Sequence, residues 1–156
     1  MGSWREFSEL RPELAEAGRR LFYQYGVGLA FLATTRSDGG PRVHPMCPII
    51  TDDGIFAFIV PGPKRGDLHR DGRYAMHSFP AEENEDAFSV TGRARQVTDE
   101  ATVADLSRRY ATERAAAEPP PEIATWELFS FDVGSCLLTR TVGHGDPEPR
   151  HETWHG

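Results

Sequence analysis

At 156 residues, with 38% hydrophobic and 26% charged side chains, the chain has the size and balance of one domain around a single core. A formal net charge of −7 excludes the broad basic surface of a typical nucleic-acid binder, so no nucleic-acid partner is expected. No apolar run approaches the roughly 20 residues of a membrane span, so no membrane partner is expected either.

The opening MGSWREFSEL lacks the charged-then-apolar layout of a signal peptide. Glu6 stands where a myristoylation signal has Ser or Thr. Residues 8–25 carry Leu10, Leu14, Ala17, Leu21, Phe22 and Tyr25 at three- and four-residue steps. This spacing predicts one amphipathic helix, with Pro12 in its first turn and Gly26 as its stop, so that residues 1–26 form an N-terminal helical arm. From Val27 the period changes to that of a strand over 27–35, followed by a glycine hairpin turn at Ser37-Asp38-Gly39-Gly40. Residues 41–50 contain Pro41, Pro45 and Pro48; because proline cannot donate to a ladder, this strand is bulged or lies at an edge. Asp52-Asp53-Gly54 turns the chain into a strand over 55–60.

The segment FIVPGPKRGDLHRDGRY follows, from Phe58 to Tyr74. A β-rich run stops at Pro61-Gly62-Pro63, Lys64 and Arg65 come at once, and a short helical turn ends at Asp71-Gly72. Two fixed cations beside a Gly/Pro turn suit a phosphate or another oxyanion, and Arg42, one strand earlier, reaches the same end of the sheet. Residues 73–79 form the next strand, 81–86 an acidic loop, and 88–97 an alternating, half-exposed barrel strand. Thr98 is placed to cap a second helix over about 99–117, and Pro119-Pro120-Pro121 is a stiff spacer. Closing strands cover 126–131 and 133–141; the tail 142–156, rich in Gly, Pro and His, dangles or lies across a neighbour. The sum is a single mainly β domain, a six- to seven-stranded antiparallel split β-barrel over 27–141 with peripheral helices. Cys47 and Cys136 sit in apolar strand-like contexts, so a buried free thiol at each and a cytoplasmic location are expected. No CxxC or HExxH spacing points to a metal, and no GxGxxG or Walker loop to a Rossmann or P-loop site.

Several of these stretches, taken in order, resemble the pyridoxamine 5′-phosphate oxidase-like family of flavin-binding split barrels. They are Leu32-Ala33-Thr34-Thr35, then Asp38-Gly39-Gly40-Pro41-Arg42-Val43-His44-Pro45, then Pro63-Lys64 with Asp67-Leu68 and Asp71-Gly72-Arg73, and Val90-Thr91-Gly92-Arg93-Ala94. The likeness runs over 26–98 and resumes at 128–141 and Trp154. It implies a homodimer with an FMN site at the interface; some branches use the deazaflavin coenzyme F-420, and distant relatives bind haem. By position it implies that Arg42 and Lys64 hold the cofactor phosphate, with Arg65 as a second ligand. Val43, His44, Pro45 and Met46 would run along the ring, Ala57 and Phe58 would lie near the ribityl chain, and Trp154 would cover the flavin from the tail.

The chain departs from the family pattern at Gly62-Pro63, where Ser or Arg is common, and at Ala87, where the oxidases place a glutamine. It also lacks their C-terminal Arg/Pro-rich substrate motif. His69, His77, His144, His151 and His155 are read as solvent-facing or packing residues. No acid–base pair or activated nucleophile stands out, and no catalytic residue is assigned, as suits an enzyme whose cofactor carries the redox chemistry. The expectation is an FMN-dependent oxidoreductase that reduces a small molecule and does not oxidise pyridoxamine phosphate. A non-catalytic flavin-binding or stress-response protein and a haem-binding relative are the alternatives.

Overall fold

The computed structural model describes residues 1–156. Two helices open the chain, α1 (Trp4–Leu10) and α2 (Pro12–Phe22). The strands are β1 (Ala30–Thr35), β2 (Pro41–Met46), β3 (Ile49–Ile50), β4 (Ile55–Ile59), β5 (Arg73–Ser78), β6 (Ala87–Gln96), β7 (Glu127–Phe131), β8 (Ser135–Arg140) and β9 (Arg150–His155). Helix α3 (Pro63–Arg70) follows β4, α4 (Glu100–Glu113) follows β6, and a 3₁₀ turn (Pro121–Thr125) leads into β7.

The fold is the antiparallel split barrel. Seven strands run in the order β2-β1-β5-β6-β7-β4-β3, while β8 pairs with β6 and β9 with β8. Strand β6 serves both halves: it pairs with β8 up to Thr91 and with β7 from Ala94. The corner between them falls at Gly92, where a Cβ would stand 1.9 Å from the Asp132 carbonyl oxygen, so only glycine lets the backbones pass. The main core fills the space between the inner face of the sheet and α1–α2. Trp4, Phe7, Leu14 and Phe22 meet Phe88, Val90 and Met76 there, all almost fully buried. A smaller cluster of Ile49, Leu106 and Leu128 lies under α4 and includes Phe58 and Tyr110. No helix is long and apolar enough to cross a membrane.

The structure departs from the sequence reading at several boundaries: the strand over 41–50 divides into β2 and β3, and the helix expected over about 99–117 ends at Glu113. The single helix over 8–25 is two helices. Ser3 and Glu6 form a capping box that starts α1 four residues before α1's own Ser8, and Arg11 leaves the helical region at φ −136° because Pro12 follows it. The cap of α4 is Asp99 and not Thr98: its carboxylate accepts from the Thr102 N–H at 2.9 Å. The end of the tail does not dangle: residues 150–155 form β9 on the chain's own β8, with Trp154 opposite Cys136 and its ring 5.0 Å from that of Phe7. Both cysteines are free, but only Cys136 is buried, which pushes its thiol up to about 11; Cys47, in the link after β2, is half-buried.

Candidate functional site

Strand β2 ends the sheet path, so one of its sides carries no strand. Its pairing with β1 is unbroken from Pro41 to Met46. Pro41 and Pro45 have the same parity, so their missing N–H groups lie on one side, and an intact ladder puts that side outward. The open edge therefore presents mainly carbonyl oxygens together with the N–H of Val43.

Helix α3 is tied to this strand through Arg42, which pairs with Asp67. Pro63 stands at its first position, where a fixed φ costs nothing and the missing N–H is not needed. Gly62 supplies no capping side chain, and no acidic residue occupies the first turn. The Arg65 N–H bonds back to the Gly62 carbonyl at 3.2 Å, so the Lys64 N–H and the positive end of the helix dipole are what this turn leaves without an internal partner. Lys64 lies in this turn. It is the only lysine in the chain and forms no ion pair. Partial burial lowers its pKa from the ordinary lysine value, with the neighbouring Cys47 acting in the opposite sense.

One turn further along, Asp67 is buried, its side chain 3% exposed. Its Oδ2 accepts from Arg42 Nε at 2.7 Å and from Thr34 Oγ1 at 2.8 Å, while Oδ1 accepts from Arg70 at 3.1 Å. Burial works against ionisation of this carboxyl, but the three donors outweigh it and hold its pKa below the usual value. The terminal amino groups of Arg42 make no hydrogen bond within the chain. One edge of its guanidinium is fixed, and the other is free for an anion. Asp67 and Thr34 carry no role in the sequence reading, although both stand in the stretches that resemble the family.

The other expected residues divide between those brought to this corner and those directed elsewhere. Along β2, Arg42, His44 and Met46 alternate with the exposed Pro41, Val43 and Pro45, and Met46 is buried. Arg65 turns away from Arg42: its guanidinium donates to the Thr125 carbonyl at 3.0 Å and lies 3.7 Å from Glu127. Ala57 is fully buried, and the Phe58 ring packs edge-on against Tyr110 under α4 at 6.1 Å, so neither offers a side chain to the corner. Trp154 lies on the core face of β9 against Phe7, not over the open edge.

Residues 22–133 match the family model described as pyridoxamine 5′-phosphate oxidase. The chain belongs to that family. Among solved structures, an F-420 reductase is 17% identical, aligned over 75% of this chain and 94% of its own, with a TM-score of 0.61. A protein related to general stress protein 26, of the pyridoxinephosphate oxidase family, from Clostridium acetobutylicum is 12% identical over 97% and 95% of the two chains, with a TM-score of 0.60. The heme storage protein HutZ from Vibrio cholerae is 16% identical over 80% and 89%, with a TM-score of 0.57. At such identities the likeness is one of fold. No curated protein matches the chain. The pyridoxamine 5′-phosphate oxidase family thus includes the motif-bearing stretch from β1 to β7, and the corner of β2 and α3 falls inside it.

Proposed function

We propose that this chain binds a flavin, FMN in the first instance, at the corner of β2 and α3, and uses it to reduce a small molecule. The observation that carries this reading is the uncapped start of α3, with an unpaired Lys64 and an Arg42 half held by Asp67. A phosphate monoester suits such a set: the free Lys64 N–H at a helix start, a point charge and a guanidinium fork with an open edge. The open β2 edge would lie along the ring, with carbonyl acceptors and the Val43 N–H at its disposal. When bound, the flavin would supply hydride transfer; the protein's part is to bind, orient and shield it. Lys64 and Arg42 would neutralise the phosphate, and Asp67 would keep Arg42 from swinging into solvent.

The F-420 reductase among the structural neighbours keeps a deazaflavin as the alternative cofactor. The haem reading, prompted by the heme storage neighbour, has less to stand on in this corner, whose donors suit a phosphate and where His44 is the one imidazole on β2. The absorption spectrum of the purified protein, with mass spectrometry of the released ligand, decides among them. A two-banded flavin spectrum supports the proposal, a single near-ultraviolet deazaflavin band replaces FMN with F-420, and a Soret band overturns both. NAD(P)H oxidation by the loaded protein separates an enzyme from a flavin carrier.

The substrate proposed is not pyridoxamine phosphate. A second dianion needs a second set of cations, and the tail offers little: Arg150 is its only Lys or Arg, and Arg140 of the adjoining β8 is paired with Glu152, which Arg11 also holds. Incubation of the loaded protein with pyridoxamine phosphate and oxygen should give no pyridoxal phosphate above background. Steady turnover would overturn this part of the reading.

A further inference from the structure

A second hollow lies on the outer face of the sheet, toward the other end of β2 from Arg42. Phe31 of β1 pairs with Pro45 of β2 on one side and His77 of β5 on the other, so the three side chains stand in one row on that face. The ring of Phe31 stacks on Phe79, with centroids 4.5 Å apart and planes 21° from parallel. From this aromatic floor a cavity of about 470 Å³ extends under the 80–87 segment to His144, a volume in the range of small-molecule sites.

Its walls are held from both sides. The Thr141 N–H donates to Asp86 Oδ1 at 2.7 Å, and the Glu85 N–H donates to Thr141 Oγ1 at 2.9 Å. The Gly145 N–H donates to Glu85 Oε2 at 3.2 Å, and His144 Nε2 donates to the Glu82 carbonyl at 2.9 Å. Gln24 Nε2 and the Tyr25 hydroxyl, at the end of α2, donate to the carbonyls of Phe79 and Pro80. Two loops far apart in sequence are thereby clasped, so a ligand would meet a shape already formed.

The lining is one-sided in its chemistry. No Lys or Arg contributes to it. Glu85 and Asp86 each keep one carboxylate oxygen outside the clasp. His77 Nδ1 lies 2.6 Å from the Ser78 carbonyl, which can only accept, so Nδ1 carries the proton and Nε2 of the neutral ring is left as an acceptor. The same reasoning leaves Nδ1 of His144 as an acceptor. An aromatic floor beneath acceptors and negative charge selects against anions and for donors.

We infer that this hollow binds a planar aromatic ring that carries hydrogen-bond donors and is neutral or positively charged, and that beside the cofactor it is the substrate subsite. The substrate role rests on the flavin position proposed above; the ligand class rests on the hollow alone. Benzamidine and benzoate test it, being nearly equal in shape and opposite in charge and donor pattern. Titration followed through the protein's own NMR signals should show benzamidine binding at least about tenfold tighter than benzoate. Phe79→Leu should weaken benzamidine about threefold through the lost ring contact, and Glu85→Gln by a similar factor through the lost charge. Equal or tighter binding of benzoate would overturn the inference. So would benzamidine binding that neither variant changes.

In the flavin-loaded protein, benzamidine should also shift the flavin absorption, and binding without any shift would overturn the substrate role. A chain that takes no flavin at all would sink the cofactor reading but not the ligand class, because the benzamidine titration does not depend on the flavin.

Discussion

Asp67 shows at the scale of one residue how the chain prepares a charge for use. A buried carboxylate is costly unless its oxygens are occupied, and here Arg42, Thr34 and Arg70 occupy them. Its pKa is lower in the folded chain than in the unfolded one. The sign follows: its contribution to stability is complete above the unfolded carboxylate pKa and is lost as pH falls through the depressed folded value. Asp67→Asn should therefore cost about 2–3 kcal/mol at neutral pH, a gap that closes in acid, as urea melts at the two pH values would show. Equal stability at neutral pH would mean that the charge is not what holds Arg42. Lys64 is the converse case, a cation kept free of partners. Lys64→Ala should weaken cofactor binding about 10- to 150-fold with the fold unchanged, measured by flavin fluorescence titration. Because burial lowers its pKa, wild-type affinity should fall on the alkaline side at a pH below the ordinary lysine value, and the variant should lose that step.

Elements whose cause is local were legible in the sequence, and those whose cause is a distant contact were not. The hairpin turn at Gly39, the edge placement of the proline-bearing β2 and the short helix after Pro61-Gly62 all follow from φ preferences and missing donors. The division at Arg11 was hidden because the apolar steps continue across it; the capping box at Ser3 was the signal that showed where α1 begins. Strand β9 was hidden for another reason. Its sequence RHETWH has one large apolar residue, and it becomes a strand only because β8 lies beside it and Phe7 of α1 receives Trp154. In the site, Lys64 and Arg42 could be picked out by charge and position, while Asp67 required knowing that α3 packs on β1 and that Arg42 reaches it from β2. Trp154→Ala tests this account of β9. It should lower stability by about 2–4 kcal/mol, short of a fully buried Trp because the ring is partly exposed, and leave flavin affinity as it was. Loss of flavin with unchanged stability would return Trp154 to the cofactor.

The whole molecule carries an outer sheet face that no helix covers. Val43 is 60% exposed there, in line with Ala33 and Ala75 across β1 and β5, and Phe31 and Leu137 are half-buried on the same face. The two faces of the sheet are thus unequal: the inner face has α1 and α2 over it, while the outer face is open and mixes apolar side chains with the polar His77, Ser89 and Thr91. A further strand cannot easily cover it from the side, because Pro41 and Pro45 leave the β2 edge short of donors. Association by faces remains, and a second copy of this chain related by a twofold axis would meet like with like and enclose two equal cofactor sites. Obligate interfaces of this kind bury upward of about 2,000 Å² in total, which an open sheet face can supply. Sedimentation at micromolar concentration should therefore give the mass of two chains. Val43→Glu puts a charge at the centre of the proposed contact without disturbing the chain's own core, since that side chain already faces outward. It should move the mass toward a single chain, leave the far-ultraviolet circular dichroism unchanged, and weaken flavin binding in step with the loss of the pair. A one-chain mass for the unmodified protein, or a variant that stays paired, would mean that this face has another use.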